Sequence, residues 1–160
     1  MPNWCSNTVT FTGEPSQLDE LKTLFMKMAE KEKAEDRGQL PPFIEADGDW
    51  YFDINWDFDT LYYETRWSPN IEVMKKVAEH YGVGFTQSYM ETGNLVYGEA
   101  TFENGELQDV YLEMSDFDGY EYDEDTDTYT FENETYESND EIMEILLERK
   151  KATLLSTFKN

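Results

Sequence analysis

Hydrophobic and polar residues alternate or recur with clear periods along most of the chain. In residues 5–13, apolar side chains alternate with threonines, which predicts a β-strand. Residues 13–36 then carry apolar side chains at helical spacing. Two aromatic runs, residues 50–56 and 60–67, are typical of strands. The order predicted for this half of the chain is therefore strand, helix, strand, strand.

A second helix and a group of strands follow. Ser68 and Pro69 are typical of a helix start, and apolar residues recur from there to Gly82, where we expect the helix to end. The pair Asn104-Gly105 is a strong signal for a hairpin turn. Strands are predicted over residues 83–91, 94–102 and 106–114.

The remaining residues predict a hairpin and a helix that extend this arrangement. Residues 120–123 and 128–132 flank a turn and predict an acidic hairpin, and Ser138 opens a C-terminal helix. The whole order matches an α+β, ferredoxin-like plan: a split βαβ antiparallel sheet with two helices on one face, extended by the hairpin and the C-terminal helix. We expect a ferredoxin-like domain over residues 1–114, with residues 115–160 packed on the same domain.

Three stretches of the sequence carry a family resemblance: the opening MPNWCSNTVTFTG, the helix after it, and YFDINWDF with TRWSP before the second helix. Together they resemble the YubB-type ferredoxin-like proteins of phages and plasmids. The resemblance covers roughly residues 1–105 and leaves residues 115–160 outside. It implies a ferredoxin-like fold and a mobile-element setting, and it carries over no catalytic residue. Members of that family have a Gly-Thr-Lys-Trp-like stretch where Asn55-Trp56 leads into Asp57-Phe58-Asp59 here, so no shared ligand is carried over to that position.

Charge is distributed very unevenly along the chain. There are 36 acidic and 12 basic residues, a formal net charge of −24. Residues 1–76 hold 15 acids and 8 bases, whereas residues 77–148 hold 21 acids and no Lys or Arg. Such a field repels nucleic acid and anionic membranes and attracts basic proteins or multivalent cations. We therefore expect no direct binding to nucleic acid or to a membrane.

The sequence contains little that is typical of an enzyme. Cys5 and His80 are its single cysteine and histidine, they belong to different predicted elements, and no Gly-rich phosphate loop is present. No catalytic residue, metal ligand or cofactor is predicted. The apolar runs are too short to span a bilayer and no charged-then-apolar leader opens the chain, so we expect a cytoplasmic protein.

One acidic stretch matches part of a calcium-binding pattern. Asp123, Asp125, Asp127 and Glu134 reproduce positions 1, 3, 5 and 12 of an EF-hand loop. Position 6, which requires Gly for its sharp turn, is Thr128. An EF-hand is therefore not predicted.

The acidic segment, which we define as residues 116–134, is the candidate interaction surface. Nine of its nineteen residues are Asp or Glu and five are Phe or Tyr. Because alternate residues of a strand lie ~6.6–6.8 Å apart, two paired acidic strands would present about one charge per ~3.4 Å, the phosphate spacing of one DNA strand. Residues 98–114 and 116–134 offer such strands. The candidate partner-binding residues are Asp116, Asp118, Glu121, Asp123, Glu124, Asp125, Asp127, Glu132 and Glu134.

The leading hypothesis is a non-enzymatic, acidic protein-binding module of a mobile genetic element, with a basic protein as its partner. In its most specific form, the module is a DNA mimic that inhibits a host nucleic-acid-binding defence protein. Two alternatives stay open: a divalent-metal-dependent carboxylate enzyme, and an accessory domain whose acidity only confers solubility. Four acids of the C-terminal helix add a helical stripe to these acidic strands: Asp140, Glu141, Glu144 and Glu148.

Overall fold

The computed structural model describes residues 3–158, with side chains through Leu155. Met1 and Pro2 of the opening motif therefore lie outside the described residues. The chain divides into two compact units, Met1–Asp109 and Val110–Asn160, which we call the first and the second unit.

Over its described residues, the first unit contains two α-helices, a short 3-10 helix (Thr92–Asn94) and a six-stranded sheet, whose last strand extends two residues past the boundary at Asp109. The sheet order is β2-β3-β1-β4-β5-β6, and the pairs β1–β3, β1–β4, β2–β3 and β4–β5 are antiparallel. This order confirms the predicted α+β, split βαβ plan, because β3 lies between β1 and β2, and β4 lies on the other side of β1. The elements are β1 (Trp4–Thr12), α1 (Pro15–Glu35), β2 (Phe52–Asp57), β3 (Thr60–Arg66), α2 (Ile71–Tyr81), β4 (Gly84–Glu91), β5 (Val96–Glu103) and β6 (Glu106–Tyr111).

The core of the first unit lies on one face of the sheet. Along β1, residues 5, 7 and 9 are buried while residues 6, 8 and 10 are exposed, as the two-residue period of a strand requires. The buried sets of α1 and α2 belong to the same apolar cluster as the inward strand residues. Both helices therefore pack on one face, as predicted. The helical residues of this cluster are Leu21, Phe25, Met28, Val73, Met74, Val77 and Ala78.

A chain of polar side chains crosses this otherwise apolar core. Gln87 Nε2 donates to Asn7 Oδ1 at 2.9 Å and to the Tyr63 hydroxyl at 3.0 Å. The Tyr63 hydroxyl donates to Asn70 Oδ1 at 2.7 Å, and Asn70 Nδ2 donates to the Asp49 carbonyl at 3.1 Å. These bonds connect β1, β3 and β4 to the start of α2, and the periodicity of the sequence contained no signal for them.

The network explains why no side chain caps the start of α2. Asn70, not Ser68, is the residue that precedes the helix, and the first helical residue is Ile71. The Asn70 side chain makes no capping bond to α2, because its two polar atoms are used by Tyr63 and by the Asp49 carbonyl. The carbonyl of Ser68 instead accepts a hydrogen bond from Thr65 Oγ1 at 2.7 Å. The predicted start at Ser68 and Pro69 is therefore wrong.

The β2 strand contains an irregularity that α1 stabilises. The β2–β3 register shifts between Phe52 and Asn55, and Asp53 has a positive φ of 51°. The Glu32 carboxylate accepts from the backbone N–H groups of Asp53 (2.6 Å) and Ile54 (3.0 Å). This irregularity is a β-bulge, which takes the two backbone N–H groups out of the hydrogen bonding between β2 and β3. The Glu32 side chain of α1 thus accepts the hydrogen bonds of both groups.

Over its described residues, the second unit contains a small sheet, one 3-10 helix and one α-helix. The sheet order is β7-β8-β9, with antiparallel pairs on both sides of β8, so the predicted acidic hairpin is confirmed as β7–β8. A third strand, β9, was not predicted, and a two-residue turn at Glu132-Asn133 joins it to β8. Both turn residues have positive φ (48° and 67°), as a type I′ turn requires. The elements are a 3-10 helix (Met114–Gly119), β7 (Glu121–Asp123), β8 (Thr128–Phe131), β9 (Glu134–Tyr136) and α3 (Asp140–Phe158).

Substitution of Tyr63 by Phe tests the buried network. We expect it to lower the free energy of unfolding by about 1–3 kcal/mol, because Asn70 loses a donor and Gln87 loses an acceptor inside the core. The neighbouring Tyr62 is 42% exposed, and Tyr62→Phe is the matched control, with an expected change within about 0.5 kcal/mol. Urea unfolding of both variants measures the difference, and equal losses would contradict a structural role for the network.

Candidate partner-binding surface

The nine candidate acids stand on several short elements of the second unit. Two lie in the 3-10 helix, two in β7, three in the turn between β7 and β8, one in the turn between β8 and β9, and one at the start of β9. In chain order they are Asp116, Asp118, Glu121, Asp123, Glu124, Asp125, Asp127, Glu132 and Glu134.

Asp116 is held in the fold by a lysine. Its carboxylate accepts from Lys150 Nζ at 2.7 Å and from the backbone N–H of Glu113 at 2.7 Å. The lysine hydrogen bond is the main reason that the pKa of Asp116 lies below its usual range. Asp116 therefore links the 3-10 helix to α3.

Glu132 makes the second such link. Arg149 of α3 donates to both Glu132 oxygens, and the Nη2–Oε2 distance is 2.9 Å. The arginine hydrogen bond lowers the pKa of Glu132. The same guanidinium lies 5.5 Å from the centre of the Phe131 ring. Arg149 therefore packs over the end of β8 and also neutralises Glu132 in the turn that follows it.

The other seven candidate acids are exposed and, within the part of the chain that the structure describes, none forms an ion pair with Lys or Arg. The described basic residues of the second unit are already engaged, since Lys151 pairs with Glu148 at 2.9 Å. The surface thus presents carboxylates without nearby cations.

Local hydrogen bonds order part of this surface. Asp123 accepts from the backbone N–H of Asp125 at 2.9 Å, which closes the turn after β7. Asp127, at φ 53°, accepts from the Tyr122 hydroxyl at 2.6 Å. That hydrogen bond is the main cause of a raised Tyr122 pKa. The carboxylates of the turn consequently stand on a hydrogen-bonded backbone.

The strand register corrects the expected charge spacing. Glu121 lies opposite Thr130 and Asp123 lies opposite Thr128, so the acids of β7 face threonines rather than acids. The expected density of about one charge per ~3.4 Å along two paired strands is therefore not formed by β7 and β8. Negative charge is instead concentrated in the turn at residues 124–127.

The partial calcium pattern is interrupted by strands. Asp123 ends β7 and Glu134 begins β9, with Asp125 and Asp127 in the turn between β7 and β8, so the matching acids are divided between two separate strands and a turn. Across residues 3–158 as described, no group of three or more Asp, Glu, His or Cys side chains is arranged to hold a metal ion.

Cys5 and His80 occupy packing positions. Cys5 is fully buried, and burial raises the pKa of its thiol to about 11. The His80 ring stacks on Phe43 with centroids 3.8 Å apart. Each side chain thus has a packing role in its own surroundings. None of the helices in the described range is long and apolar enough to cross a membrane.

A family model described as the ferredoxin-like domain in Api92-like protein matches residues 48–132. This span is just over half of the 160 residues, and the chain belongs to that family. No curated protein and no solved structure matches the chain. The matched span runs from before β2 to the turn after β8. Most of the acidic segment therefore lies within the family domain, whereas the sequence resemblance had ended near residue 105.

Two substitutions separate the structural acids from the exposed ones. We expect Asp116→Asn to lower the free energy of unfolding at neutral pH by about 0.5–1 kcal/mol, because it removes the ion pair with Lys150 but keeps an acceptor for Glu113. Because the folded pKa of Asp116 is lowered, its contribution is present above the unfolded pKa and is lost as pH falls through the folded value.

Asp118 is the matched control, since it lies two residues away, is exposed and has no ion pair among the described residues. We expect Asp118→Asn to change stability by less than about 0.5 kcal/mol. Urea unfolding across a pH series measures both variants. A loss for Asp116→Asn that stays constant with pH would contradict the ion-pair interpretation.

Proposed function

We propose that the chain is a non-enzymatic, acidic protein-binding module whose partner is a basic protein. The observation that supports this most is the state of the acidic segment. Seven of its nine carboxylates are exposed and, in the described part of the chain, lack a Lys or Arg partner, while the nearby bases are used for internal ion pairs.

Electrostatics gives such a surface a preferred partner. Closely spaced carboxylates repel one another, and a protein that brings Lys or Arg into the segment relieves this repulsion. Long-range attraction also accelerates the encounter with a basic protein, and salt reduces both effects. A module of this kind binds tightly at low ionic strength and weakly at high ionic strength.

The most specific form of the proposal is a DNA mimic. In this form the chain is a cytoplasmic protein of a phage or plasmid, related to the YubB-type proteins, that occupies the DNA-binding cleft of a host defence protein. The hydrogen-bonded turn after β7 supports this form, because a partner that reads charge positions requires carboxylates on an ordered backbone. The acids of β7 face threonines on β8, so the two strands do not form a ladder of acids. In this form of the proposal, the acids of the turn between β7 and β8 therefore take the place of DNA phosphates.

Neutralising three exposed acids tests the proposal. The variant Glu121→Gln, Glu124→Gln, Asp125→Asn leaves both internal ion pairs intact. The control variant Glu45→Gln, Asp47→Asn, Asp57→Asn makes the same change in net charge at exposed positions of the first unit. Immobilised wild-type chain and both variants are exposed to bacterial proteins that have been purified on duplex DNA.

We expect the wild type to retain basic proteins, salt to reduce this binding, and short duplex DNA to release them. The segment variant should retain them about tenfold less well, and the control variant nearly as well as the wild type. Equal losses in both variants would indicate general charge rather than a site. Binding that duplex DNA does not compete with would reject DNA mimicry.

A further inference from the structure

The C-terminal helix α3 carries apolar residues on two opposite faces. Ile142, Met143 and Leu147 are buried, with 0%, 2% and 5% of their surface exposed. On the other side, Ile145 is half-buried and Leu155 is 58% exposed. A surface helix normally has one apolar face and one polar face, and a helix that is apolar on both sides is typically covered on both.

The outer residues have the spacing of a coiled-coil seam. Positions 141, 145, 148, 152 and 155 follow one another at intervals of four, three, four and three residues. This spacing places them in one stripe along the helix, and it is the spacing by which two helices interdigitate. We call these five residues the outer seam: Glu141, Ile145, Glu148, Ala152 and Leu155.

A shallow groove lies along most of the outer seam. Its volume is about 550 Å³. Its lining includes the apolar side chains of Ile145 and Ala152 and three glutamates. The residues that line it are Glu141, Glu144, Ile145, Glu148, Arg149 and Ala152.

The charges of the groove favour a basic occupant. Arg149 does not offset the glutamates, because its guanidinium is bound to Glu132 and lies over Phe131. Lys151 pairs with Glu148, but that glutamate side chain is 64% exposed and such a pair is weak. A second copy of this helix would bring glutamates of the two seams together, and like charges at seam positions oppose pairing.

We propose that the outer seam of α3 binds an amphipathic helix of a partner protein, with apolar residues that face Ile145, Ala152 and Leu155. Lys or Arg of that helix faces Glu141 and Glu148. Apolar contact supplies affinity, and the two glutamates select basic helices over acidic ones. This inference does not depend on the acidic segment, because it concerns a different element and different residues.

Two synthetic peptides test the inference by fluorescence anisotropy. Both are amphipathic, three heptads long, and identical in their apolar residues; one carries Lys at the two positions that face Glu141 and Glu148, and the other carries Glu there. We expect the wild-type chain to bind the Lys peptide and to bind the Glu peptide at least about tenfold more weakly. No binding of the Lys peptide would overturn the proposal.

Charge reversal in the outer seam supplies the specific readout. The double variant Glu141→Lys, Glu148→Lys should invert the preference, so that the Glu peptide binds about tenfold better than the Lys peptide. The control Glu121→Lys, Glu124→Lys makes the same charge change in the acidic segment and should preserve the preference for the Lys peptide. If only this control abolishes binding, the peptide binds the acidic segment, and the outer seam is not the site.

A third variant tests the apolar part of the seam. Leu155→Asp changes an exposed residue and should weaken the Lys peptide about tenfold without loss of helical structure by circular dichroism. Sedimentation of the unbound chain tests the competing occupant. A wild-type dimer that Leu155→Asp converts to a monomer would show that a second copy covers the seam and would overturn the proposal.

Discussion

The hydroxyl group of Tyr63 is the point on which the core of the first unit depends. It joins Gln87 on β4 to Asn70 at the start of α2, and through Gln87 it reaches Asn7 on β1. Polar atoms in an apolar core are costly unless they are paired, and here Gln87 Oε1 is the one buried side-chain atom without a partner among the described groups. The network therefore joins β1, β3 and β4 to the start of α2 by hydrogen bonds inside the core.

A different constraint governs the second unit, which carries 15 acids and 4 bases over residues 110–160. Two of its described bases hold elements together: Lys150 binds the 3-10 helix and Arg149 binds the β8–β9 turn. Because the second unit has so few basic residues, the acids of the β7–β8 turn remain exposed and the outer seam of α3 remains acidic. The same shortage of bases thus leaves two separate anionic surfaces open to partners.

The position of the candidate surface along the chain could be predicted from composition, but its geometry could not. The acidic, aromatic pattern of residues 120–132 indicated a hairpin, and the structure contains one. The pattern did not reveal that Asp116 and Glu132 are bound to Lys150 and Arg149, because those partners lie 34 and 17 residues away along the chain. Nor could it show that threonines face the acids of β7, since a register depends on turn geometry as well as on alternation.

By itself, the sequence determined the type and order of the elements in the first unit, because strand and helix periods and the Asn104-Gly105 turn are local properties. It also determined the net charge and its uneven distribution. Only the tertiary structure decided that the Asn70 side chain leaves the start of α2 uncapped, since it binds Tyr63 and the Asp49 carbonyl from other parts of the chain. It likewise decided which acids are exposed and which face of α3 is left uncovered, because burial and ion pairing depend on residues that meet only after folding.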